Sequence, residues 1–167
     1  MTASRTLAAT LIVLSGTLAG SAMAQSTFTS RSLTVETALK AAQAALETCR
    51  KNGFQVGVAI ADRAGVPQVF LRDRFAGPHT VEMAANKAWT AASFRIPTAD
   101  LAAETQAGKA MSAIRDLPRV AALAGGLPIE AAGSTVAGIG VSGAPGGDAD
   151  DVCARAGIEA IRADIEM

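Results

Sequence analysis

The chain's single histidine is His79, and the residues around it set what chemistry the sequence can offer. One imidazole excludes a multi-histidine zinc site. It suits one axial position on a haem iron, or general-base work, and it is equally an ordinary solvated residue at a helix start. His79, Met83 and Lys87 are spaced four and four, which sets them near one face of a helix. Arg72, Arg74 and Arg95 bracket the same region. Guanidinium groups grip carboxylates in pairs of hydrogen bonds, so this cluster suits a carboxylate or a propionate. Plain surface charge is the alternative.

Gly138-Ile139-Gly140-Val141-Ser142-Gly143 has the form G-x-G-x-x-G. A dinucleotide site needs those glycines at a strand-to-helix turn, with a second strand and an acidic residue further on. Here they fall inside a strand pattern, and the helix that follows opens with Asp148, Asp150 and Asp151, which repel a pyrophosphate. The nucleotide reading is therefore rejected; the glycines let backbone or a flat ligand approach the strand. Neither Ser-His-Asp nor Cys-His nucleophile spacing is present, and Ser142 lacks the G-x-S-x-G context. Cys49 and Cys153 are the two cysteines. In an oxidising compartment they are a candidate disulfide, if their helices pack antiparallel on one sheet face; two buried thiols is the other reading.

The elements that must position these residues follow from periodicity. Thr34 is an N-cap, and Val35, Leu39, Ala42, Leu46 and Cys49 mark one helical face that ends at a left-handed Gly53. Residues 55–62 alternate as a strand, Asp62 to Gly65 turn, and 66–72 form the second arm of a hairpin. A helix over 79–94 stops at Pro97. Thr98 caps another helix over 99–107, and 119–124 is a short helix or strand. A short strand follows Gly125-Gly126, a clear one spans 134–142, and a helix over 148–164 buries Ala154, Ile158, Ile161 and Ile165. This is not the βαβ alternation of a parallel sheet; it predicts an antiparallel sheet with helices on its faces, an α+β class.

The first 24 residues read as a cleavable leader: Arg5, an apolar run from Leu7 to Leu14, and Ala22-Met23-Ala24 before Gln25. The apolar run is too short for a membrane span. The expected organisation is a signal peptide over 1–24, a flexible arm over 25–32 and a single domain over 33–167, placed in the periplasm or secreted. Lys plus Arg equal Asp plus Glu at 15 each, with no basic stripe, so no nucleic-acid partner is expected. Five Phe, one Trp and no Tyr leave Ala, Val, Leu and Ile to build the core. A chain so rich in small side chains gains burial by self-association.

Five blocks, in order, carry a resemblance. They are Val58-Ala59-Ile60-Ala61-Asp62-Arg63-Ala64-Gly65, Ala84-Ala85-Asn86-Lys87-Ala88-Trp89-Thr90-Ala91, Pro97-Thr98-Ala99-Asp100-Leu101, Gly125-Gly126-Leu127-Pro128-Ile129 and the strand from Gly138 to Gly143. Together they resemble the GlcG/HbpS family, the haem-degrading domain family, over nearly the whole chain after the leader. The resemblance implies a profilin-like three-layer α/β/α fold with a central antiparallel sheet of about five strands, and homo-oligomers. It also implies haem as the cofactor, with a role in haem breakdown or redox sensing. His79 and Thr80 fall where a ligand groove is expected, at the loop-to-helix step before the Lys87-Ala88 block. The resulting site is His79 as the iron ligand, Thr80 and Met83 beside it, and Arg74, Lys87 and Arg95 for propionates, with Phe75 and Trp89 in apolar contact. Two other readings are a protein binding a small organic acid through Lys87 and the arginines, and an oligomeric module docking a membrane sensor.

Overall fold

In the computed structural model, which describes residues 26–166, the elements in order are α1 (Val35–Lys51), β1 (Gly57–Asp62), β2 (Pro67–Arg72), α2 (His79–Phe94), α3 (Thr98–Glu104), a 3-10 turn (Ser112–Asp116), β3 (Gly126–Ala131), β4 (Ser134–Ser142) and α4 (Gly147–Ile165). The expected leader lies outside the described residues. Residues 26–32 form neither helix nor strand and are exposed.

Local chemistry explains the first elements. The Thr34 hydroxyl accepts from the Thr37 amide and starts α1, and Gly53 follows the helix at φ 80°. Asp62 accepts from the amides of Ala64 and Val66 and closes the β1–β2 turn. The buried stripe of α1 is rotated from the expected one. Ala38, Ala41, Ala42, Ala45, Leu46 and Cys49 face inward, whereas Val35 and Leu39 are exposed. Small side chains win the inner face because α4 packs close against it.

The sheet is antiparallel throughout, in the order β2-β1-β4-β3. It has four strands where about five were expected. Residues 119–124 supply no strand: Arg119 is left-handed at φ 74°, and the Thr90 hydroxyl takes up the amide of Ala121 and donates to the carbonyl of Arg119. These backbone groups are satisfied by a side chain, so they need no ladder.

Three layers result. On one face α1 and α4 cover Val58, Ile60, Leu127, Ile129, Ile139 and Val141. On the other, α2 lies on Ala59 and Ala61 through Ala84 and Ala88. The glycines of β4 serve this second contact. A Cβ on Gly138 or Gly140 would fall well inside contact distance of the carbonyl oxygens of Ala88 and Ala84. Of the two approaches the glycines allowed, it is helix backbone that occupies the strand.

Cys49 and Cys153 are disulfide-bonded, with Cα atoms 5.5 Å apart, and join α1 to α4. Thr98 does not cap α3; it is the first helical residue, and its hydroxyl donates to Leu123 O and accepts from the Gly126 amide. The helix ends at Glu104, short of the expected 107. No helix among the described residues is long and apolar enough to cross a membrane.

Candidate functional site

The start of α2 is held by its own loop. Asp73, buried, is gripped by Arg50 (Nη2 to Oδ1, 2.6 Å) and accepts from the Val56 amide. This pins residues 73–77 to the sheet and turns Arg74 and Phe75 outward. The Arg74 guanidinium lies 5.9 Å from the Phe75 ring centre, and Phe75 is 78% exposed. A hollow of about 350 Å3 is lined here by Arg50, Gln55, Asp73, Arg74 and Phe75.

Pro78 precedes α2 with its φ already helical. The imidazole of His79 is exposed and folds back over Gly77, where a Cβ would stand 2.7 Å from Cε1. Thr80, one residue on, is fully buried, and its hydroxyl donates to Gly77 O at 2.7 Å. Met83, one turn on, is half-buried. Val81 and Phe70 expose apolar surface beside them, the Phe70 ring and Thr80 meeting over Gly57. His79, Thr80, Met83 and Arg74 therefore share one end of α2, with Thr80 fastening the helix rather than facing solvent.

Lys87 leaves this group. Its Nζ is buried, 2.8 Å from Asp150 Oδ2 and 2.9 Å from Val141 O, so it is held between α2, β4 and α4 and is not free for a propionate. The cause is helix geometry. Each four-residue step turns a helix about 40° past a full turn, so two steps carry Lys87 about 80° around from His79. Trp89 is also elsewhere, under the Gly65 turn with Arg119 5.0 Å from its ring. Arg95 follows the last residue of α2, about 24 Å along the axis from His79. It lines a different hollow, a groove of about 710 Å3 between β3 and α4.

Sequence reasoning missed Asp150 and Asp151 as structural acids. Asp150 also accepts from the Ala144 amide, and Asp151 from the Gly125 amide at 2.7 Å. Burial pushes both carboxyls above the ordinary range; for Asp150 Lys87 works against that, and for Asp151 the Gly125 amide and Arg155 do. A charge inside an apolar helix needs a partner, and that rule was the available signal.

The donor set at the start of α2 fits an iron tetrapyrrole. It offers one imidazole for iron, a guanidinium for a carboxylate arm, and phenyl surface for a flat apolar body. The 710 Å3 groove does not fit iron ligation, since His, Cys, Met and Tyr are missing from its walls. Among the described residues no cluster of three or more His, Cys, Asp or Glu is arranged to hold a bare metal ion.

A family model described as haem-degrading protein, HbpS-like, matches residues 33–159. A double mutant of HbpS from Streptomyces reticuli is 41% identical, covering 92% of this chain and 97% of its own, with a TM-score of 0.76. A further HbpS structure is 45% identical over 83% of this chain and 96% of its own, with a TM-score of 0.77. A PduOC complex with heme is 28% identical over 78% of this chain and 95% of its own, with a TM-score of 0.73. Comparison with curated proteins gives no match.

Proposed function

The chain belongs to the HbpS-like family of haem-degrading proteins, and on that premise we propose that it binds haem, outside the cytoplasm, at the start of α2. The observation that carries the reading is the exposed imidazole of His79 at the start of α2, four residues along the chain from the exposed Phe75 ring that Arg74 covers. His79 offers a ring nitrogen to the iron, Arg74 pairs with a propionate, and Phe75, Phe70 and Met83 supply apolar contact. Bound haem iron brings oxygen and electron chemistry, which the surrounding side chains tune. Thr80 and the Asp73–Arg50 pair hold the helix start and its loop in place.

Phe75, Val81 and Phe70 leave apolar surface exposed here, so a second copy of the chain is the natural cover, in keeping with a self-associating protein. The buried Cys49–Cys153 bond supports export, because such bonds persist in oxidising compartments.

The test is a hemin titration followed at the Soret band. Wild type is expected to shift the band and saturate. His79→Ala is expected to lose the shift and bind at least about tenfold more weakly, a change of about 1.4 kcal/mol. An unchanged spectrum and affinity in the variant would remove His79 from the site, and no band shift in wild type would end the haem reading.

A further inference from the structure

We infer that the groove between β3 and α4 is a second ligand site, independent of the haem reading, that takes an amphipathic carboxylate with its acid group at Arg95 and Arg155. The groove holds about 710 Å3, within the range of small-molecule pockets. Its floor is apolar, built from Leu127, Pro128 and Ile158, with Pro97 at the rim. Arg95, Arg155 and Arg162 all reach into it.

The charges are not spread evenly. Asp151 accepts from the Gly125 amide, and Gly126 is tied to Thr98, so the Gly125–Gly126 end of β3, the start of α3 and the second turn of α4 lie together. Arg95 precedes that junction and Arg155 lies one helical turn beyond Asp151. Arg155, itself exposed, reaches Asp151 only at 3.9 Å, a loose contact, and Arg95 has no ion pair among the described residues. Arg162, by contrast, is engaged by Glu159 at 2.7 Å and Glu166 at 3.4 Å, and Glu130 of β3 lines the same groove. Of the three guanidiniums lining the groove, Arg95 and Arg155 are therefore available and Arg162 is neutralised.

The backbone of Arg95 adds an independent sign. It stands at φ 59°, ψ 33°, the left-handed position after a helix that favours glycine. A β-carbon there is strained, and residues kept in such conformations cluster at ligand sites. Glycine would relax the turn and remove the side chain that carries the guanidinium. An acid group paired by two guanidiniums with an apolar tail on Leu127, Pro128 and Ile158 matches what the groove offers.

The experiment uses laurate below its micelle concentration, with 1-dodecanol and butyrate as probes lacking the acid or the tail, read by calorimetry and thermal shift on the full chain. Laurate is expected to bind and raise Tm, and the other two to bind at least about tenfold more weakly. Arg95→Gly is expected to be at least as stable as wild type yet to lose about tenfold or more in laurate affinity; Arg155→Ala is expected to lose a similar factor. Hemin titrations of both variants should match wild type, which separates this site from the one at His79. Laurate binding that is absent in wild type, or unchanged in Arg95→Gly and Arg155→Ala, or matched by dodecanol, overturns the proposal.

Discussion

Lys87 Nζ lies 2.8 Å from Asp150 Oδ2, with the two side chains 1% and 5% exposed, and this pair clamps α2 to the first turn of α4. Two charges removed from water are held by each other, by Val141 O and by the Ala144 amide. Removing one partner strands the other. Lys87→Met and Asp150→Leu are each expected to cost about 3–5 kcal/mol, while the double variant costs clearly less than their sum, because no charge is left buried. Urea unfolding of the four proteins measures this. Strict additivity would show that the pair does not act as a unit.

The pH dependence follows from the neighbouring acid. Burial raises the Asp151 carboxyl above its ordinary value of 3.8, against the pull of the Gly125 amide, Arg155 and Lys87. The native state thus holds this proton more tightly than the unfolded chain. Its contribution is fully present below pH 3.8 and is lost as pH rises through the raised value. Asp151→Asn keeps an acceptor for Gly125 without the charge. The stability of wild type relative to this variant is expected to fall from pH 4 to pH 7; a rise over that window refutes the assignment.

The disulfide closes a loop with a sequence separation of 104 and both cysteines fully buried. In the chain-entropy picture a loop near that length contributes about 4.7 kcal/mol. Cys49→Ala with Cys153→Ala is expected to lower unfolding stability by roughly 3–5 kcal/mol, and dithiothreitol should act on the native protein no faster than it unfolds. A loss under about 1 kcal/mol would mean that the unfolded chain gains little freedom when the bond is cut.

Gly140→Ala should be among the more damaging single-carbon changes. Its Cβ meets the carbonyl of Ala84 and the amide of Ala88 at 2.5 Å, both backbone atoms that cannot rotate away. A loss of about 1–3 kcal/mol is expected, as for other overpacked cores. Gly53→Ala has open space around it and only a left-handed φ of 80° against it, so about 1–2 kcal/mol is expected there. The informative reading is hydrogen exchange in α2. Gly140→Ala should speed it locally, and Gly53→Ala should not.

Arg74→Ala tests the propionate assignment separately from iron ligation. Arg74 is exposed and stacked only on Phe75, so the folded stability should change by less than about 0.5 kcal/mol. Hemin affinity is expected to fall several-fold with the Soret position of the wild type retained. A lost Soret shift in Arg74→Ala, equal to that of His79→Ala, would show that the two residues do not divide the work in this way.

Much of this protein was legible before any fold was known. Thr34 and Gly53 bound α1, the Asp62–Gly65 turn joins two strands, and α2 and β4 begin and end at the residues the pattern indicates. These features are local: caps, turns and alternation depend on side chains within a few residues of one another. Tertiary structure decided what lies further apart. It joined Cys49 to Cys153, rotated the α1 stripe onto its alanines, filled the β4 glycines with helix backbone and left residues 119–124 unpaired. It also divided the cation cluster, drawing Lys87 inward to Asp150 and leaving Arg95 at the far end of α2 from His79. Spacing along a chain states which residues share a helix. Which of them meet water, a partner charge or a ligand is set by the elements packed against that helix, and the partners of Lys87 come from more than fifty residues away.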